Sequence, residues 1–484
     1  MKFPFLLVFV FFFALTGFAE PHQQTELKSG TWGGELHYQD QTTMFYLDIQ
    51  LDENGDLIAS TYMPVIPFPV RSIGTIENQN GVYSAGSIQF SLIAAGQILK
   101  GSFPNSPRDL TFQLYPIDEY PKSKESVNSG STTIPAWTFK TNGPIWGDAA
   151  VDGDQLYIGS TDGYLYSISQ SNGELKWKYN TNDSIFSRPL IQSNYVYILS
   201  DDGILHKLKT DTGSSIWTFD IGGADWHRKL PHDENPGYDS MVSAPVISDN
   251  IVYVGSADGH LFAINDNTGK ESWSFKSDGP IHSIPIVAEG MVYFGSYDHH
   301  IYGLDAETGN MNWKFNTGQM IVSSPVYING KVMIGSRSAD LFALNASTGL
   351  EEWHYYHWGS WVESSGTVFD DLLYIGSSDD QLLKSFDPES GQLIWATNVN
   401  GSPWTTPAVT QSTVYTGVFG NANYGIDHHG GFYAIDRLTG DEKWRFTWKK
   451  LPETDIYGVT SSPAAANGMV FFGGLDGLIY GFQE

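Results

Sequence analysis

Hydrophobic and polar positions alternate along this chain in two different rhythms. Over residues 44–51, MFYLDIQL, the side chains of Phe45, Leu47, Ile49 and Leu51 fall on one face of an extended strand. An Asn-Gly turn in ENGD leads into LIAST, and further strand-like runs follow at SIQFSLI and LTFQLYP. Residues 20–120 therefore read as a small antiparallel β domain, a curved sheet or lipocalin-like barrel. The polar, Ser-rich PKSKESVNSGSTT predicts a linker over 121–132.

From 133 to 484 the apolar runs shorten and begin to repeat. Within 280–315, HSIPIV, MVYFGS, IYGLD and MNWKF predict four strands, the last two pairs joined by turns at YDHH and ETGN. The order recurs as GSTDGYLYSISQSNGELKW at 159–177 and GSADGHLFAINDNTGKESW at 255–273. Trp177, Trp217, Trp273, Trp313, Trp353, Trp395 and Trp444 each stand four residues after a glycine. Their spacings of 40, 56, 40, 40, 42 and 49 give a base period near 40 with three lengthened units. Four short antiparallel strands at that period predict the blades of a β-propeller. After Trp444, SSPAAANGMVFFGGLDGLIYGFQE supplies three strands; PAWTFKT, with Trp137, supplies a fourth. The fold is thus predicted all-β, an eight-bladed propeller whose ring is closed by 136–141.

The D-G turn, the L-Y-A-L-D-like strand and T-G-x-x-x-W together resemble the pyrroloquinoline-quinone (PQQ) repeat over 133–484. That resemblance implies eight blades, each tryptophan docking against a neighbouring blade. The chain is also similar to the propeller subunit of the bacterial outer-membrane β-barrel assembly machine. It departs from that subunit in lacking a lipidation cysteine and in carrying the extra β domain. The segment GTWGGEL is similar to a β module found ahead of some secreted hydrolases.

Composition then narrows the setting. Lys2, the apolar run Leu6–Leu15 and the small Gly17 and Ala19 have the order of a secretory signal peptide, 1–19, cleaved after Ala19. The chain has no cysteine, which removes disulfides, thiolate ligands and a lipidated anchor. The expectation is a periplasmic or secreted soluble protein with no direct membrane anchor. Fifty-four acidic against 26 basic residues, a net charge of −28, disfavour nucleic acid as a partner.

Function is sought where the repeat is broken. GGADWHRKLPHDENPGYDSM (222–241), HYYHWGSW (354–361), VFGNANYGIDHHGG (418–431) and WKKLPETDIYGV (448–459) read as insertions. By propeller topology all four open on one face, and long loops gathered on one side of a rigid scaffold mark a binding side. The residue leading each first strand reads Trp146, Phe186, Val242, His282, Val322, Glu363, Trp404 and Thr460, followed in every blade by a small residue. A column that varies from blade to blade predicts the rim of a pocket, with Arg188 beside it. Trp226, His227, His232, Tyr238, Trp361, His428, His429 and Tyr457 complete the candidate face. No metal-site spacing such as H-E-x-x-H is present, and no metal is predicted.

Three functions are carried forward. The first is a binding or scaffolding module for a protein or glycan, without a cofactor. The second, implied by the PQQ-repeat resemblance, is a quinoprotein dehydrogenase with PQQ and Ca²⁺, in which Trp146, Trp404 and Asp148 would serve as floor and acid. It lacks the adjacent-cysteine disulfide on which many such enzymes stack the quinone. The third is a carbohydrate-active lyase using His227, His232, Tyr238, His282 and Arg188, aided by a patch of Arg228, Lys229, Lys449 and Lys450.

Overall fold

The computed structural model describes residues 27, 29–39, 41–63, 66–79, 82–93, 98–106, 108–117, 131–223, 230, 242–421, 428–448 and 455–484. Among them the chain is strand and turn, with no helix. One compact unit lies within the first 121 residues and another contains Lys122–Glu484. The predicted signal segment and most of the predicted linker lie outside the described residues.

The first unit is a nine-stranded antiparallel meander, Gly30–Tyr38 through Thr111–Ile117. Its first strand also pairs with its ninth, Trp32 opposite Pro116 and Leu36 opposite Phe112. The sheet is therefore nearly closed, its free edges belonging to Ile66–Thr75 and Glu77–Gln79. Phe45, Leu47 and Ile49 are buried as their alternation predicts, and Phe45 packs on Phe112 at 5.1 Å. Leu51 is not: it is 61% exposed, at the strand end where Asp52 caps the Asn54-Gly55 turn.

The second unit is the eight-bladed propeller, each blade four antiparallel strands. Blade one comprises Ala149–Asp152, Gln155–Gly159, Tyr164–Ser169 and Leu175–Asn180, and the others follow in sequence order. Blade eight takes Ala464–Ala466, Met469–Gly473 and Leu478–Gln483 and borrows Trp137–Lys140 as its outer strand. Trp137 lies opposite Gly481 and Lys140 opposite Leu478, so the ring is closed by the predicted strand.

The apolar core lies between blades rather than within them. One cluster joins Tyr253, Leu261 and Ile281 to Val292, Phe294 and Leu304 across blades three and four. The glycine–tryptophan register has the same cause. Trp273 Nε1 donates to Ala306 O of the next blade (3.1 Å), and Trp313 Nε1 to Ala346 O (2.8 Å). The ring of Trp273 lies against Gly309, where φ is +73° and a Cβ would come within 2.6 Å of the indole. Only glycine satisfies both demands.

Blade seven departs from the pattern at its outer edge. Ser131–Thr132, expected in the linker, pairs in parallel with its outer strand, Ser131 opposite Trp444. No Thr-Gly turn follows Trp444 in sequence to receive its ring. Trp444 stacks instead on Phe482 of blade eight at 5.6 Å.

Candidate functional site

Side chains alternate along extended backbone, so every second residue of the segments that lead into the eight innermost strands, and of the strands themselves, lines the propeller axis. Three layers result. The outermost is the predicted column of Trp146, Phe186, Val242, His282, Val322, Glu363, Trp404 and Thr460, which line a constriction of about 60 Å³. Two residues further along come Asp148, Arg188, Ala244, Ile284, Ser324, Ser365, Thr406 and Ser462. Two further still, a mainly aliphatic layer including Leu190, Val246, Ile286 and Val326 lines a cavity of about 730 Å³. In most blades the small residue after the column position is structural. The hydroxyls of Ser243, Ser323, Thr405 and Ser461 accept the amides of Gly255, Gly335, Gly417 and Gly473 from their second strands.

The mouth side chains are packed and bonded to one another. Trp146 and Phe186 lie 6.1 Å apart, and Trp404 stacks on Phe419 at 4.3 Å while its Nε1 donates to Ser378 Oγ. His282 Nδ1 lies 3.3 Å from the Tyr297 hydroxyl, their rings edge to face. Glu363 is 2% exposed and receives Arg337 Nε at 2.7 Å, and that guanidinium covers the Trp361 ring at 4.6 Å. Arg337 was not among the sequence candidates. It stands 26 residues from Glu363, in the turn of the preceding blade, and nothing local in the sequence joins the two.

Asp148 accepts the Ser462 amide at 2.7 Å. Burial pushes its carboxyl above the usual range, while the Arg188 guanidinium works in the opposite direction. Arg188 itself is exposed to the channel.

Two of the four insertions meet. The second strand of blade seven extends through Thr413–Asn421, and its end pairs with Ile456–Gly458 from the segment entering blade eight. Phe419 lies opposite Gly458 and Gly420 opposite Tyr457. His428 is buried beneath this ridge: its Nδ1 accepts the Asn421 amide (2.8 Å), and its Nε2 lies 3.0 Å from Ser402 Oγ. Desolvation, helped by the neighbouring His429, pushes the His428 imidazole down to about 4. The Tyr457 hydroxyl donates to His428 O at 3.1 Å. His428 and Tyr457 are thus fastenings of the ridge rather than free ligands, while His429 is exposed on it.

HYYHWGSW is a correction. His354–Tyr356 belongs to the outer strand of blade five, Glu351–Tyr356, and the connection to Thr367 exceeds that from Asn316 to Val326 by a single residue. His357 is fully buried there, beside Lys384. Trp226, His227, His232 and Tyr238, with Arg228, Lys229, Lys449 and Lys450, lie outside the described residues.

A protein-family model described as outer membrane protein assembly factor BamB matches residues 127–225, 221–360 and 357–483. No curated protein matches the sequence. Among solved structures, the computationally designed Ika8 protein is 17% identical with a TM-score of 0.58, over 71% of this chain and 98% of that one. Quinohemoprotein alcohol dehydrogenase from Comamonas testosteroni is 14% identical with a TM-score of 0.55, over 72% and 76%. BamB from Moraxella catarrhalis is 18% identical with a TM-score of 0.48, over 71% and 93%. At such identities the likeness is one of fold.

Proposed function

The chain belongs to the family of outer membrane protein assembly factor BamB, and from that premise we propose that it is an exported propeller that binds a protein partner on its insertion-bearing face. The observation that carries this reading is the ridge where Phe419–Asn421 and Ile456–Gly458 pair. Two insertions from different places in the chain are knitted into one raised β element, held from below by His428 and Tyr457. A rigid relief on a scaffold face suits recognition of another folded surface. The ionisable groups at the mouth support binding over catalysis, because Glu363 is bonded to Arg337 and His282 lies against Tyr297.

We propose no quinone cofactor. The residues present do not fit PQQ at the mouth, since the constriction holds about 60 Å³ and Trp404 is only 4% exposed. Among the described residues no group of three His, Asp or Glu side chains converges to hold a cation beside it.

The test is affinity capture from the cell envelope, with thermal melting to confirm folding. The double variant His429→Glu, Trp361→Glu is expected to lose a partner that the unaltered chain recovers in stoichiometric amount. Leu350→Glu, at the exposed turn that leads into the outer strand of blade five, is expected to keep it. A partner retained by the double variant and lost by Leu350→Glu overturns the choice of face.

A further inference from the structure

We propose that the channel wall formed by blades one to three is a binding site for a small monocarboxylate with an apolar body. Two independent features converge there. The first is the cavity: among the residues lining its 730 Å³, Arg188 is the only charged one, and the walls are otherwise aliphatic, proline or hydroxyl-bearing. A volume of that size takes a small organic ligand.

The second is a set of hydrogen bonds that link neighbouring blades through the middle layer in two stretches, from blade four to six and from blade seven to one. The Ile284 amide donates to Ser324 Oγ (2.9 Å), and Ser324 to Ser365 Oγ (2.8 Å). Thr406 donates to Ser462 Oγ (3.0 Å), and Ser462 to Asp148 Oδ1 (2.7 Å). Each amide thus meets an acceptor on the next blade. Continuing round the ring, the next three side chains are Arg188, Ala244 and Ile284, none of which carries an acceptor. The amides of Asp148, Arg188 and Ala244 therefore find no side-chain acceptor on the next blade, and the exposed Arg188 lines the channel at this gap. A carboxylate supplies the missing acceptors, and a guanidinium pairs with it bidentately.

The surroundings set the rest of the ligand. Leu190, Val246, Ile286 and Val326 line the cavity beyond the gap, so the body is apolar. Asp148 lines the constriction on the other side of Arg188 and already offsets part of its charge, which favours one negative charge over two or three. Trp146, Phe186, His282, Glu363 and Trp404 are all under 10% exposed, so the ligand enters from the face of the short turns.

Isothermal titration of the full chain with octanoate tests the site, alongside octanol and inorganic phosphate. One-to-one binding of octanoate is expected, at least tenfold tighter than octanol, with no heat from phosphate. Arg188→Gln is expected to weaken octanoate at least tenfold. Ala244→Ser, which gives the Arg188 amide the hydroxyl acceptor that other blades use, is expected to weaken it several-fold with an unchanged melting temperature. Octanoate binding that is absent, matched by octanol, or unaltered in both variants overturns the proposal. Equal binding of phosphate and octanoate reduces the site to an adventitious ion only and overturns it as well.

Discussion

Blade four and blade six carry an aspartate at the same turn, between their second and third strands, and complete its surroundings with different chemistry. In blade four Asp298 accepts the Tyr302 hydroxyl at 2.7 Å and the His300 amide at 3.0 Å. Blades one and eight repeat this with Tyr166 on Asp162 and Tyr480 on Asp476. Burial and the carboxylate push the Tyr302 phenol up, so it remains a donor at every ordinary pH. In blade six the position four residues after Asp380 is Lys384, whose ammonium contacts Asp380 and lies 2.9 Å from His357 Nδ1. Where Ser277 meets Ser296 by hydroxyls in blade four, His357 meets Lys384. A neutral donor can be lost at moderate cost, whereas a buried ion pair leaves an uncompensated charge when one member goes. The repeat therefore fixes where the turn is held, and each blade sets how sensitive that hold is to mutation and pH.

The comparison can be broken from the blade-six side first. Lys384→Met strands the Asp380 carboxylate in the interior and is expected to lower stability by about 3–5 kcal/mol in urea unfolding. The double variant Lys384→Met, Asp380→Asn is expected to recover much of that loss; a double variant as unstable as the single one would show that the charge is not the cause. Acid should act next. Burial, with Lys384 alongside, holds the His357 imidazole well below its usual range, and His428 lies near 4 against 6.5 for an exposed imidazole. The unfolded chain then takes up protons below about pH 6.5 that the folded chain refuses, so stability is complete above that pH and falls as pH drops toward 4. For His428 alone the loss is about 3 kcal/mol over that window. A His428→Gln variant should show a correspondingly flatter dependence of melting temperature on pH. The smallest effect is expected on the blade-four side, where Tyr302→Phe removes one hydroxyl and leaves the amide bonds to Asp298, a loss of about 1–2 kcal/mol in the same urea assay.

The difference between these blades also explains which parts of the molecule were legible in the sequence. Gly309 and Trp273 could be placed because each is demanded by backbone geometry and a neighbouring ring, and that demand recurs at one spacing. The mouth column was legible for a similar reason: in most blades the small residue after it is fixed by a hydroxyl-to-amide bond, so the variable position stands out against it. Side-chain pairs peculiar to a single blade junction leave no such trace. Glu363 with Arg337 and Lys384 with His357 are each joined across more than 25 residues by packing alone. Extra histidines at 354 and 357 looked like an insertion because aromatic and imidazole side chains suit a loop rim as well as an outer strand. The gap in the channel's hydrogen bonds is also invisible locally, since Ala244 and Ile284 are ordinary residues until their neighbours on the ring are known.

The borrowed outer strand of blade eight has a consequence in time. Lys140 and Asp476, which meet where the ring closes, are 336 residues apart in the chain. At about 5–20 residues per second, a ribosome finishes the second partner roughly 20–70 s after the first. Throughout that interval Trp137–Lys140 has no partner to pair with and the growing arc keeps an open sheet edge at each end, the kind of surface on which chains aggregate. The nascent ring is therefore vulnerable until Leu478–Gln483 has been made, and closes only when that strand pairs with Trp137–Lys140.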